Sequence, residues 1–287
     1  EGMNMQIELE CLPCIFRQTL ESSRMVTDDE DLIKEILDEY SKLVPEVDAD
    51  LKGPTLGGKS QKIVKDKSGV EDPYREFKHK HMKLAQELYP EAEDIIAEAE
   101  DSLFGSLIIS ATGNAIDAGV SLDVDVAHHI KRAVEDGFVK SDFERLEEKL
   151  KTEDQVLIIG DNSGEAIFDK LLIKELKKYD VEVIYAYREV PILNDVTIKE
   201  VKEIGIDELA DRVLSSGCKT PGTVLEETTD QFREIYNQAG VVISKGQGNF
   251  EGLSDVQRDI FFLLKAKCEI VANILDVEQG NLVLKLK

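Results

Sequence analysis

The sequence is short of positive charge. Lys and Arg number 35 against 59 Asp and Glu, which leaves a formal net charge of −24. A surface of that sign repels phosphate backbones, so nucleic acid is not an expected partner. Long apolar runs are lacking too. None approaches the roughly 18 residues that a membrane-spanning helix needs, so no membrane partner is expected. The opening EGMNMQIELE is acidic and polar where a secretory signal is basic and then apolar, and a cytoplasmic location is expected from it. Cysteines are few: Cys11, Cys14, Cys218 and Cys268. Cys11-Leu-Pro-Cys14 is a lone C-x-x-C with no second Cys or His pair nearby. Reduced thiols, half of a metal site and a redox pair all remain open for it.

What is present is enough apolar material for a core, 42% of 287 residues. Up to about residue 150 the pattern is helical. DEDLIKEILDEYSKLV (29–44) places Leu32, Ile33, Ile36, Leu37, Tyr40 and Leu43 on one face. Further helices are expected over 74–88, 91–101, 103–116, 124–137 and 141–151. From about residue 152, short apolar runs alternate with amphipathic segments. Buried strands are expected at 155–160, 181–187, 212–217 and 240–246, with two more candidates at 260–266 and 281–287. Helices are expected over 164–179, 196–204, 223–239 and 269–275. Alternation of this kind predicts an α/β protein, a doubly wound α/β/α sandwich with a mostly parallel sheet. The expected division is a helical domain over 3–151 and an α/β/α domain over 152–287.

Ligands of such sheets sit off the carboxyl ends of the strands, where the chain order reverses. The strand ends therefore nominate residues. After 155–160 come Asp161, Asn162 and Glu165, two carboxylates and an amide. Hard oxygen donors of this type suit Mg, Mn or a similar divalent cation. An ordinary helix cap at Asp161 or Ser163 explains part of the same pattern. After 181–187 come Arg188 and then Asp195, the latter a third carboxylate or the cap of the next helix. After 212–217, Gly217 offers backbone donors. At the end of 240–246 stand Lys245 and Gly246, followed by Asn249, a lysine on a glycine-bearing turn suited to phosphate. In the helical half, SATGNAIDAG (110–119) interrupts an apolar helix with Asn114 and Asp117, polar groups that need partners. His79, His81, His128 and His129 fall on polar faces and are read as structural.

GDNSGEAIFD, PILNDVT and KGQGNFE, in that order, resemble the DUF89 family, the damage-control phosphatases that include ARMT1-like proteins. The C-x-x-C, Asp72-Pro73-Tyr74 and GNAID (113–117) fit its prokaryotic branch, and the resemblance covers nearly the whole chain. It implies a divalent metal (Mg, Mn, Co or Ni) on Asp161, Asn162 and Asp195, with Lys245 in the cleft. It further implies hydrolysis of a small phosphorylated metabolite, a phosphomonoester. Asp161, Glu165 and Lys245 are the candidate catalytic residues, with either water or Asp161 as the nucleophile. Arg188, Asn114, Asp117, Gly217, Gly246 and Asn249 are the candidate substrate contacts. One departure is visible: members acting on sugar phosphates carry Arg two residues after the motif's Asn, where this chain has Glu251. Two other classes compete, an S-adenosylmethionine-dependent carboxyl methyltransferase and a non-enzymatic metabolite-binding protein.

Overall fold

The computed structural model describes residues 3, 5–48, 50–113 and 126–287. Asn114, Asp117 and the side chains of His128 and His129 lie outside them. Among the described residues a seven-stranded sheet forms the centre. Its strands are β1 (Lys140–Ser141), β2 (Gln155–Ile159), β3 (Glu182–Tyr187), β4 (Arg212–Ser215), β5 (Val241–Lys245), β6 (Phe261–Lys265) and β7 (Leu282–Leu286). Their spatial order is β1-β7-β6-β5-β2-β3-β4. Strands β2 to β6 run parallel to one another, β7 is antiparallel to β6, and β1 runs parallel to β7. The chain starts this parallel set at β2, winds outward through β3 and β4, then returns to β5 on the other side. The order therefore reverses between β2 and β5, where Ile159 pairs with Ala186 on one side and Ser244 on the other.

The apolar runs become strands because both faces of the sheet are covered. On one face, Val156, Ile158, Val183, Tyr185, Val241 and Ile243 pack under helices Arg75–Glu98, Ser102–Thr112 and Ser163–Leu176. On the other, Leu157, Ile159, Val242 and Phe262 meet Phe232, Tyr236 and Phe250. Helices from the N-terminal half are thus one wall of the same core. A further layer, helices Cys11–Val26, Glu30–Ser41 and Gly53–Ser68, packs together and reaches the sheet through contacts of Gly53–Ser68 with Gln247–Leu253.

Several elements differ from the sequence reading. Helices expected at 74–88 and 91–101 are one helix with Pro90 inside it. Proline removes a backbone hydrogen bond and crowds the preceding turn. Here the buried residues Met82, Ala85, Ala92 and Ile96 span it, so packing on Ser163–Leu176 holds both parts in line. The helix expected over 223–239 begins only at Asp230, where the Thr229 hydroxyl accepts from the Phe232 N–H at 3.1 Å. Gly53–Ser68 is a helix despite Gly53, Pro54, Gly57 and Gly58. A Cβ on Gly58 would stand 2.8 Å from Thr220 Cγ2, and one on Gly57 2.9 Å from Pro221 Cγ. The glycines let this helix approach the loop after β4. No described helix is long and apolar enough to cross a membrane.

Candidate active site

Strand β2 ends at Gly160, where a Cβ would lie 2.5 Å from the Tyr185 hydroxyl, so only glycine fits. Asp161 and Asn162 follow and lead into helix Ser163–Leu176. Asn162 occupies the N-cap position, yet its side chain makes no cap bond. Its Nδ2 donates instead to Asp161 Oδ2 at 3.0 Å. The ordinary helix-cap reading therefore does not describe this pair. Asp195 is brought alongside by backbone pairing. Asn162 bridges Asp195 in antiparallel fashion, and the Val196 N–H donates to Asp161 O at 2.8 Å. The turn that delivers Asp195 contains Leu193 at φ 45°, a sparsely populated conformation for a branched residue. Asp195 does not cap the next helix either. Thr197 caps it, in a capping box with Glu200.

These three oxygen-bearing side chains line a cleft of about 1060 Å³. Gln247, Gly248, Glu251 and Lys267 line it from the same half of the chain. Cys11, Cys14, Gln18, Pro54 and Gly57 line it from the N-terminal helices. Arg188 and Asn249 do not line it; they lie behind it, buried. Arg188 donates from Nε to Asp195 Oδ2 at 2.8 Å, from Nη1 to Thr223 Oγ1 at 2.8 Å and from Nη2 to Asn249 Oδ1 at 2.7 Å. Asn249 Nδ2 in turn donates to Gly160 O at 3.1 Å and Lys245 O at 2.7 Å. The two residues tie the ends of β2, β3 and β5 together under Asp195.

Lys245 and Glu165 lie deeper. Lys245 is fully buried, and its Nζ donates to Asp169 Oδ1 at 2.6 Å, to Ser110 O at 3.1 Å and to Glu165 Oε1. Asp169 also accepts from Ser110 Oγ at 2.6 Å and Tyr185 OH at 2.8 Å. Burial works against the Lys245 charge, but the Asp169 and Glu165 carboxylates outweigh it and raise its pKa. Gly246, at φ 79°, packs so close that a Cβ would lie 2.0 Å from Asp161 Oδ2. Gly217 packs against Thr229 in the loop after β4 and is not part of the cleft wall.

The acids are held away from their ordinary ionisation. Burial pushes Asp195 up to about 7, with Arg188 opposing and Asp161 adding to the rise. Asp161 is raised by burial, while Lys267, Arg188 and Lys245 pull it back. Glu251 is raised by burial, and Gln247 and Lys267 oppose. Glu165 is pushed up to about 8 by burial, with Lys245 lowering it and Asp161 and Asp169 raising it. Five carboxylates thus share three cations, Arg188, Lys245 and Lys267. Such a site is short of positive charge.

Two carboxylates and an amide are the donor chemistry of Mg²⁺ or Mn²⁺, and the charge deficit fits a divalent cation. Among the described residues no cluster of three or more His, Cys, Asp or Glu is disposed to hold a metal. The trio here counts only two such residues, its third being Asn162. Lys267 was not singled out from sequence, yet it is the lysine that lines the cleft. It lies two residues beyond the end of β6, so applying the strand-end rule to 260–266 as well reaches it. Its backbone N–H donates to Gln247 Oε1 at 2.8 Å.

The fold and this cleft define an α/β protein with an acid–amide site where the strand order reverses. The family described as the damage-control phosphatase ARMT1-like domain matches residues 7–283. A damage-control phosphatase of Archaeoglobus fulgidus is 33% identical over 98% of this chain and 99% of its own. One from Pyrococcus horikoshii is 34% identical over 97% of each chain. The crystal structure of a DUF89 family protein from Pyrococcus horikoshii superposes with a TM-score of 0.90 at 32% identity, covering 98% of this chain and 99% of that one. The chain belongs to this damage-control phosphatase family.

Proposed function

We propose that the chain is a divalent-metal-dependent phosphatase acting on a small phosphomonoester in the cleft, with Asp161, Asn162 and Asp195 holding the metal. The observation that carries this reading is that Asp161, Asn162 and Asp195 line one cleft at the switch point of the sheet, with Lys267 on the wall of the same cleft. The relatives named damage-control phosphatases support the phosphatase class. When bound, the metal supplies a Lewis acid for a phosphoryl oxygen and lowers the pKa of a water. Arg188 holds Asp195 in place through Nε and keeps its carboxylate from leaving the donor set. Asn162 Nδ2 fixes Asp161 in the same way. Lys267 lines the cleft beside these acids and is placed to neutralise phosphoryl charge as it develops. Glu165, pushed up to about 8 by burial, lies behind the cleft wall, where its Oε1 accepts from Lys245 Nζ.

The methyltransferase alternative requires an open glycine turn for an adenosyl group. Gly164, the second glycine of the turn after β2, faces the protein instead: a Cβ there would lie 3.2 Å from His81 Cβ. A panel of phosphomonoesters with Mg²⁺, Mn²⁺, Co²⁺ and Ni²⁺ tests the proposal. Turnover in at least one metal is expected, with metal affinity lost in Asp161→Ala and Asp195→Ala. Wild-type metal affinity in both variants sinks the assignment.

A further inference from the structure

Three of the four cysteines line the cleft. Cys11 and Cys14 come from the first turns of helix Cys11–Val26, and Cys268 comes from the loop after β6. Cys14 is exposed, Cys11 and Cys268 are partly buried, and Cys218 is buried with its Sγ donating to Val224 O at 3.5 Å. The convergence spans more than two hundred residues of chain, and phosphate hydrolysis as described uses none of these thiols. Burial raises the Cys11 thiol, and nearby Glu251, Cys268 and Cys14 raise it further, against a lowering backbone hydrogen bond at Glu8. These groups therefore share one neighbourhood.

Helix geometry sets the reach of the pair. Residues three apart in an α-helix rise about 4.5 Å and come close to one face, which puts their Cα atoms about 5 Å apart. A disulfide takes Cα separations of about 4.4–6.8 Å. Pro13 falls in the first turn, where its missing N–H costs no helical bond. We propose that Cys11 and Cys14 form a thiol–disulfide exchange site in the wall of the cleft, with a small-molecule disulfide as oxidant. The Cys14 thiolate, the more accessible, attacks one sulfur of R–S–S–R. That S–S bond breaks and one RS⁻ leaves as RSH. The Cys11 thiolate then attacks Cys14 Sγ and expels the second RS⁻, also as RSH. Two protein thiols are oxidised to one disulfide, and the external disulfide is reduced to two thiols. The Cys268 Sγ accepts from Gln247 Nε2 at 3.5 Å, and the proposed exchange does not use it.

The full chain treated with oxidised glutathione tests this without reference to phosphatase activity. Two of the four thiols are expected to disappear on titration after denaturation. The tryptic peptide ending at Arg17 should be lighter by two hydrogens, and dithiothreitol should restore it. Cys11→Ser should trap a glutathione adduct on Cys14, and Cys14→Ser should leave that peptide unmodified. An unchanged peptide, a lasting adduct in the unsubstituted chain, or a cross-link from either cysteine to Cys268 overturns the proposal.

Discussion

Below the turn after β2, Lys245, Glu165 and Asp169 are buried together; beside the same turn, Asp161, Asp195, Glu251 and Lys267 line a cleft. The lower layer has its cation in place: Lys245 Nζ reaches two carboxylates and a backbone carbonyl. The upper layer has acids raised by burial and by one another, with Lys267 exposed among them. The contrast separates two uses of lysine. A buried lysine fixes geometry, because removing it strands its partners in a low-dielectric interior. A lysine on an open wall keeps its head in solvent contact, where an incoming anion can also reach it.

The largest effect should come from breaking the lower layer. Lys245→Met leaves Asp169 and Glu165 buried without their cation and is expected to destabilise the fold by about 3–5 kcal/mol. Urea denaturation monitored by far-UV circular dichroism measures it. A change near zero would mean that Lys245 is not the internal counter-ion. Lys267→Ala should do the reverse. Stability should stay within about 0.5 kcal/mol of the parent chain. Turnover on a phosphomonoester at saturating metal should fall roughly 10²–10³-fold, the scale for one lost transition-state donor. If the two variants exchange these phenotypes, the assignment of the layers is inverted.

The contrast also marks how far the sequence could be read. Every strand from β2 to β7 was legible, because parallel strands covered on both faces are written as apolar runs bounded by turns. Asp161, Asn162 and Asp195 were legible because they stand at strand ends, and the structure does bring them to one cleft. Lys245 and Lys267 both lie at or just past a strand end, and position along the chain does not say which one is dry. What separates them is the helix Ser163–Leu176, which turns Glu165 and Asp169 toward Lys245 from outside its own strand. Arg188 and Asn249 were placed at the substrate for the same reason. Their role as a buried clamp depends on Thr223, a residue from another loop. The helix Gly53–Ser68 was not placed because Gly57 and Gly58 argue against helix locally, and its close approach to Thr220 and Pro221 overrides that propensity.

The next effect is the share of the pH dependence that the lower layer contributes. Glu165 has its pKa raised to about 8 from an ordinary value of 4.5. Between those values the folded state binds a proton that the unfolded state has released. Stability should therefore fall as pH rises through this window. The contribution is fully present below the unfolded pKa and is lost as pH approaches 8. Glu165→Gln keeps the shape and cannot ionise, so its stability profile should be flatter from pH 5 to 8. Parallel profiles for the two proteins would assign the dependence to another group.

The smallest effect tests the upper layer by its sign. Glu251 lines the cleft, its Oε1 accepts from Gln247 Nε2 at 2.8 Å, and its charge raises the pKa of Cys11 and Cys14. Glu251 and Asp161 also act on each other, since Asp161 contributes to the rise of Glu251. Glu251→Gln removes one negative charge without removing a proposed metal donor. At the dielectric of a partly open site such a charge is worth on the order of 1 kcal/mol. Cation affinity, measured calorimetrically, should weaken about fivefold, because the cleft becomes less negative. The phosphomonoester KM at saturating metal should fall by a similar factor, because the substrate anion meets less repulsion. A general loss of structure would move both quantities toward weaker binding. A change of shape confined to the cleft has no reason to move them in opposite directions. Weakening of both, or no change in either, would place Glu251 outside the electrostatic field of the site.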